Sequence, residues 1–201
     1  MAAIDRVLVV SLGNPAPYRN TLHSAGHLAL EALRRELQLP PFASRRIGRQ
    51  AAQVSPVSAA SRYTLAQSPT LMNVSGPWVA RAWEEVLRGS SDATGAGLIV
   101  LHDDLEEALG VVKIRPWERS HRGHNGLKSI NASLRRSVHP AARWAKLSVG
   151  IGRPDTRDRS SVSDYVLRPL DGHEKTVLGS QVGAGVLAAV QAIEASWAAQ
   201  Q

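Results

Sequence analysis

Leu98–Ile130, LIVLHDDLEEALGVVKIRPWERSHRGHNGLKSI, is the stretch that decides the fold. Leu98–Leu101 is short and apolar, the composition of a strand buried on both faces. It stops abruptly at His102-Asp103-Asp104. Val111–Arg115 then repeats the strand pattern. Gly123-His124-Asn125-Gly126 opens a helix with Leu127, Ile130 and Leu134 on one face and Lys128 within it. Acids at the carboxyl end of a buried strand, followed by a glycine-flanked polar turn, mark a crevice at the edge of an α/β sheet.

The flanking sequence supports that reading. Arg6–Leu12 is a β-branched strand closed by Gly13-Asn14-Pro15, and a loop covers Ala16–Thr21. Leu28, Ala32, Leu33 and Leu37 recur at helical spacing until Pro40-Pro41. Between 42 and 70 the pattern is ambiguous. Ala51–Val54 and Arg62–Gln67 can be strands around the polar linker Ser55–Ser61. Ser75 is placed as the cap of a helix bearing Val79, Trp83 and Val86, stopped by Gly89. Ser90–Gly97 and Pro154–Ser163 are expected as loops. Ala145–Ile151 is a strand, and an Ala-rich helix runs from about Gly172. Strands alternate with helices without internal repeats. The expectation is a single α/β domain over 1–201, with a twisted, mixed, mostly parallel sheet flanked by helices on both faces.

The chain has 201 residues, 43% of them hydrophobic and 20% charged, which excludes a disordered polymer. A net charge of +7 favours an anionic partner such as nucleic acid. Cysteine is absent, so disulfides and thiolate chemistry are excluded. No apolar run of membrane-spanning length and no leader segment is read, so an intracellular protein without membrane contact is expected. Aromatic content is low, and Trp78, Trp83 and Trp197 fall in helix patterns that place them in the core.

The chemistry-bearing residues are scattered. His23, at a helix start, has the side chain suited to a general base near neutral pH. Such a base needs a carboxylate to fix its tautomer, and Asp103 is the candidate. Asn14, Asn73 and Asn125 stand at turns or helix starts, where each is explained by backbone preference alone; together they can position a carbonyl and a water. No Gly-x-Ser-x-Gly elbow and no phosphate loop is present. His121 and His124 are spaced i, i+3 without further ligands, so neither metal nor cofactor is expected. A hydrolysis by a His-activated water remains.

In order along the chain come Gly13-Asn14-Pro15, Tyr18, Thr21-Leu22-His23 and Met72-Asn73-Val74-Ser75-Gly76. His102-Asp103-Asp104-Leu105, Leu109-Gly110, Gly123-His124-Asn125-Gly126-Leu127-Lys128-Ser129, Val149-Gly150-Ile151-Gly152-Arg153-Pro154 and Asp164-Tyr165-Val166-Leu167 follow. This series, spanning about Val7 to Leu170, resembles the bacterial-type peptidyl-tRNA hydrolases. The resemblance implies cleavage of the ester joining a peptide to the 3′ end of tRNA by a cofactor-free, monomeric enzyme, cytoplasmic or mitochondrial. It implies His23 as general base, Asp103 as its partner and Asn14 contacting the first peptide unit. Asn73, Asn125 and His124 would position substrate and water, with Tyr18, Leu71 and Met72 lining the cleft. Lys113, Arg115, Lys128 and Lys146 are candidates for tRNA phosphate contacts. Three departures from the family pattern stand out: Ser24 after the histidine, the bulky basic rim Trp117–Arg122, and Ser148 where an arginine is common. Two other readings remain open: an RNA-binding protein on the same scaffold without activity, and a hydrolase of small esters.

Overall fold

A seven-stranded sheet organises the molecule, with strand order β2-β3-β4-β1-β5-β7-β6. The computed structural model describes residues 4–55, 61–90, 94–156 and 158–199. The strands are β1 (Arg6–Ser11), β2 (Ala43–Ile47), β3 (Gln50–Val54), β4 (Tyr63–Gln67), β5 (Ala96–Asp104), β6 (Val112–Arg115) and β7 (Arg143–Gly150). The central four, β4, β1, β5 and β7, run parallel; β2, β3 and β6 are the antiparallel additions. The helices are α1 (Ala25–Glu36), α2 (Ser75–Arg88), α3 (Asn125–Ser133), α4 (Arg159–Leu167), α5 (Gly172–Thr176) and α6 (Gly183–Ala199).

Strand alternation sorts the central side chains into two cores. On one face Val7, Val9, Leu65, Ile99, Leu101 and Leu147 pack with α1 and α6. On the other, Leu8, Val10, Leu98 and Val100 pack with α2 and α3, through Trp78, Trp83, Leu127 and Ile130. Because both faces are covered, β1 and β5 read as unbroken apolar runs. Trp83 and Trp144 meet edge to face, with ring centroids 6.1 Å apart.

Several expectations are corrected. β2 is an edge strand that buries only Ile47, so its sequence carries no apolar alternation. It enters β3 through Gly48 and Arg49, both at positive φ (59° and 67°), the geometry of a two-residue hairpin turn. β5 extends beyond Leu98–Leu101 at both ends. Residues 159–163 are helical rather than loop, because the Asp158 carboxylate accepts the Ser161 N–H at 2.9 Å and starts α4. Ser75 does not cap α2: its hydroxyl donates back to the Met72 carbonyl at 3.0 Å, and Val74 occupies the cap position. Most of the expected linker 55–61, part of the loop 90–97, and Arg157 lie outside the described residues. The C-terminal helical run is broken by a π turn at Val177–Gln181. Contrary to the sequence expectation, this Gly172–Ala199 run of 28 residues is long and apolar enough to cross a membrane. Here it packs on α1, burying Val186, Val190, Ile193 and Trp197 along one stripe.

Candidate active site

The carboxyl ends of β1 and β5 lie side by side, and the chemistry-bearing residues collect there. His23 sits in a single 3-10 turn, Leu22–Ser24, immediately before α1. That turn is fixed by Ser24, whose buried hydroxyl accepts the Asn14 N–H at 3.0 Å and donates to the Tyr18 carbonyl at 2.9 Å. The departure at Ser24 thus splices the β1 loop to the turn that carries His23.

Asp103, 3% exposed, receives two imidazoles. His23 Nδ1 lies 2.8 Å from Oδ2 and His124 Nε2 lies 3.0 Å from Oδ1. The tautomers follow from the surroundings. His124 is the N-cap of α3, and its Nδ1 accepts the Leu127 N–H at 3.3 Å; its Nε2 therefore carries the proton toward Asp103. His23 directs Nδ1–H at the carboxylate and keeps Nε2 for the cleft. The His23, Asp103 and His124 ligand atoms all lie within 4.8 Å of one another, a spacing compatible with a metal ion. A cation there would have to displace both protons, and the His124 Nδ1 side is already occupied by a donor.

Charge follows geometry. Burial raises the pKa of Asp103, but the two histidines and their hydrogen bonds outweigh it and hold the group well below the usual carboxylate range. Burial lowers the pKa of His23, yet the Asp103 charge and hydrogen bond win, and the net shift is upward. His102 projects to the opposite face of β5 and stays neutral: burial, then His124, pulls it down to about 4. His27, missed in the sequence, is buried beside Ser11 (Oγ to Nδ1, 2.7 Å) and is pulled down to about 3, first by burial and then by Arg19.

A cleft of about 650 Å³ opens against this cluster, lined among others by His23, Asp103, His124, Asn125, Lys128 and Arg159. Asn14 and Met72 are not among the residues lining it: Asn14 lines a separate hollow of about 180 Å³ with Arg19, His27 and Gln67, and its Oδ1 accepts the Met72 N–H at 2.9 Å. Asn73 and Leu71 are exposed in the adjacent turn, and Tyr18 is exposed on its own. Gly126 explains how the 72–74 turn reaches α3: a Cβ there would fall 2.5 Å from Met72 Sδ. The glycine flanking His124-Asn125 was the available signal.

The four phosphate candidates differ. Lys128 is exposed on the cleft wall. Lys146 is 1% exposed; its ammonium donates to the Arg119 carbonyl at 2.6 Å, and burial pulls it down to about 8. Arg115 bonds Asp104 (2.9 Å), Glu107 (2.6 Å) and, through Nε, Ser148 Oγ (3.0 Å), while Lys113 pairs with Glu107 at 2.7 Å. The rim Trp117–Arg122 is held at Trp117, buried against Trp144 (centroids 5.0 Å apart), and at Arg119, whose carbonyl accepts from Lys146. It brings Arg119, His121 and Arg122 to the cleft.

A sequence model of the peptidyl-tRNA hydrolase family matches residues 8–201. The peptidyl-tRNA hydrolase of Saccharomyces cerevisiae is 33% identical over 180 residues, covering 88% of this chain and 90% of that protein. Peptidyl-tRNA hydrolase 1 of Corynebacterium jeikeium is 37% identical over 172 residues, covering 85% and 82%. The crystal structure of peptidyl-tRNA hydrolase from Acinetobacter baumannii superposes with a TM-score of 0.71 at 23% identity, covering 100% of this chain and 94% of that one, which speaks for the fold. With the family model matched over nearly its whole length and relatives this similar, the chain belongs to the peptidyl-tRNA hydrolase family.

Proposed function

We propose that the whole chain acts as one hydrolytic domain that cleaves the ester between a peptide, or an N-blocked amino acid, and the 3′ end of tRNA. The observation that carries this is the 2.8 Å His23–Asp103 contact in the wall of the cleft, with no hydrogen bond to His23 Nε2 among the described residues. In the reaction Nε2 takes a proton from water as the water oxygen bonds to the ester carbonyl carbon. The tetrahedral intermediate then expels the 3′ oxygen of the terminal ribose, which recovers the proton from the imidazolium. A free carboxylic acid and an intact tRNA result. Asp103 stabilises the imidazolium formed on the way, and His124 holds Asp103 in line. An ester is reactive enough for one positioned water and one base.

Asn14, through Met72, anchors the turn bearing Asn73, which with Asn125 positions the acyl group; Tyr18 and Leu71 offer apolar surface to the peptide. Lys128 and the rim arginines meet the tRNA backbone. No partner beyond peptidyl-tRNA is invoked: the enzyme acts as a monomer, without a cofactor, inside the cell wherever translation runs, cytoplasm or mitochondrion.

The test is hydrolysis of N-acetyl-aminoacyl-tRNA by purified protein and by H23A, with unblocked aminoacyl-tRNA as control. Release of the blocked amino acid by the wild type alone, with the unblocked substrate spared, supports the reading. Salt-sensitive tRNA binding without release overturns it in favour of an inactive RNA-binding scaffold.

A further inference from the structure

The two cations of β6 are already neutralised. Glu107 holds Lys113 at 2.7 Å and Arg115 at 2.6 Å, and Asp104 holds Arg115 at 2.9 Å, so four charges cancel beside the cleft. Arg119, Arg122 and Lys128, also on the cleft wall, have no carboxylate within ion-pair distance among the described residues.

The two acids are held differently. Asp104 is locked: its other oxygen accepts the Glu106 N–H at 3.0 Å. The Glu107 backbone is fixed, its carbonyl accepting the Gly152 N–H at 2.9 Å, but among the described residues its carboxylate touches only the two cations. It can swing away about its own side-chain torsions without disturbing the chain. Arg115 would stay in place, because Ser148 holds Nε and Asp104 holds Nη2. A phosphate is a strong, charge-assisted partner for guanidinium and can replace the carboxylate.

We propose that Glu107 is an internal counterion that competes with the tRNA phosphate backbone for Lys113 and Arg115 and so sets how tightly the rim holds its substrate. The proposal rests on the cleft being a peptidyl-tRNA site. Glu107 thereby acts on affinity and release, without touching the reacting atoms.

The experiment measures binding of deacylated tRNA across a salt series for the wild type, E107Q, K113Q and the double variant, beside hydrolysis of N-acetyl-aminoacyl-tRNA and of an N-acetyl-aminoacyl ester of adenosine. For E107Q the expectation is a severalfold lower Kd at low salt. The slope of log Kd against log salt should steepen by about 0.7–0.9, one phosphate's worth. K113Q should cost little in the wild type and more in E107Q, a non-additive cycle. Rates on the adenosine ester, which carries no phosphate, should be equal in wild type and E107Q. An unchanged or weaker Kd in E107Q, or an unchanged slope, overturns the proposal; E107A repeats the comparison should the glutamine variant fold poorly. Because binding is read without turnover, absence of hydrolysis in every protein would overturn the assigned activity and leave the counterion result standing on the slopes.

Discussion

Asp103 and Asp104 are neighbours on β5, and the pleat sends them into opposite kinds of cluster. Asp103 is 3% exposed and surrounded by two imidazoles, partners whose charge depends on pH. Asp104 is half-buried and meets a guanidinium and a backbone N–H, partners whose charge never changes. Both carboxyls are held ionised against the penalty of burial. The first arrangement leaves a nitrogen that can take and return a proton; in the second a guanidinium and a backbone N–H fix the carboxylate. One residue type, displaced by one position, therefore meets the proposed general base in one case and a fixed ion-pair network in the other.

Replacing residues of the two clusters should separate them. The largest effect is expected for H23A, which removes the proposed base: turnover should fall by about 10²–10⁴-fold while the protein still unfolds cooperatively, read by hydrolysis assay and thermal melt. Asp103→Asn keeps the volume but loses the charge. Turnover should fall by at least about 10²-fold. The pH dependence carries the sign. His23 acts only when neutral, and its pKa in the fold is raised, so activity is lost as pH falls through that raised value. Without the anion the value drops, and the acid limb of the kcat/KM profile should move to lower pH; a limb that stays put would break the pairing.

His124→Gln retains a donor of similar reach while removing the ring. A loss of roughly tenfold in kcat is expected, with the acid limb less displaced than in D103N; His124→Ala should lose more, because Asp103 then has a bare oxygen. The smallest effect belongs to the other cluster. Arg115→Gln should lower stability by about 1 kcal/mol in denaturant melts and leave the pH profile of kcat unmoved. A shifted profile would show that the two clusters are electrically coupled, and the contrast between the neighbouring aspartates would fail.

Much of this frame was legible before any coordinates. β1 and β5 announced themselves as apolar runs ending in polar turns, and the acids at the end of β5 marked the crevice. The proximity of His23 to Asp103 followed from the chemistry a lone imidazole needs. β2 was hidden because an edge strand that buries one residue carries no alternation, although Gly48-Arg49 was a turn signal. α4 was hidden because its helix start depends on Asp158 within a polar, serine-rich segment. The second imidazole on Asp103 was out of reach: His124 could be recognised as part of a motif, but its direction is set by the cap it makes on α3. The commitment of Arg115 and Lys113 to Glu107 was equally invisible, since a count of net charge does not say which charges already have partners.

The order of strands in the sheet has a bearing on how the protein is made. β5 and β6 follow one another in sequence, yet β7 lies between them, pairing Asp103 with Val149 and Asp104 with Gly150. In chain order His23, Asp103 and His124 all precede β7. Until that strand arrives, one edge of β5 is open and β6 lacks its strand partner among the described residues. That closure is a non-local pairing, of the kind that folds slowly. The edge beside Asp103 and Asp104 is therefore closed by the last strand in chain order among the described residues.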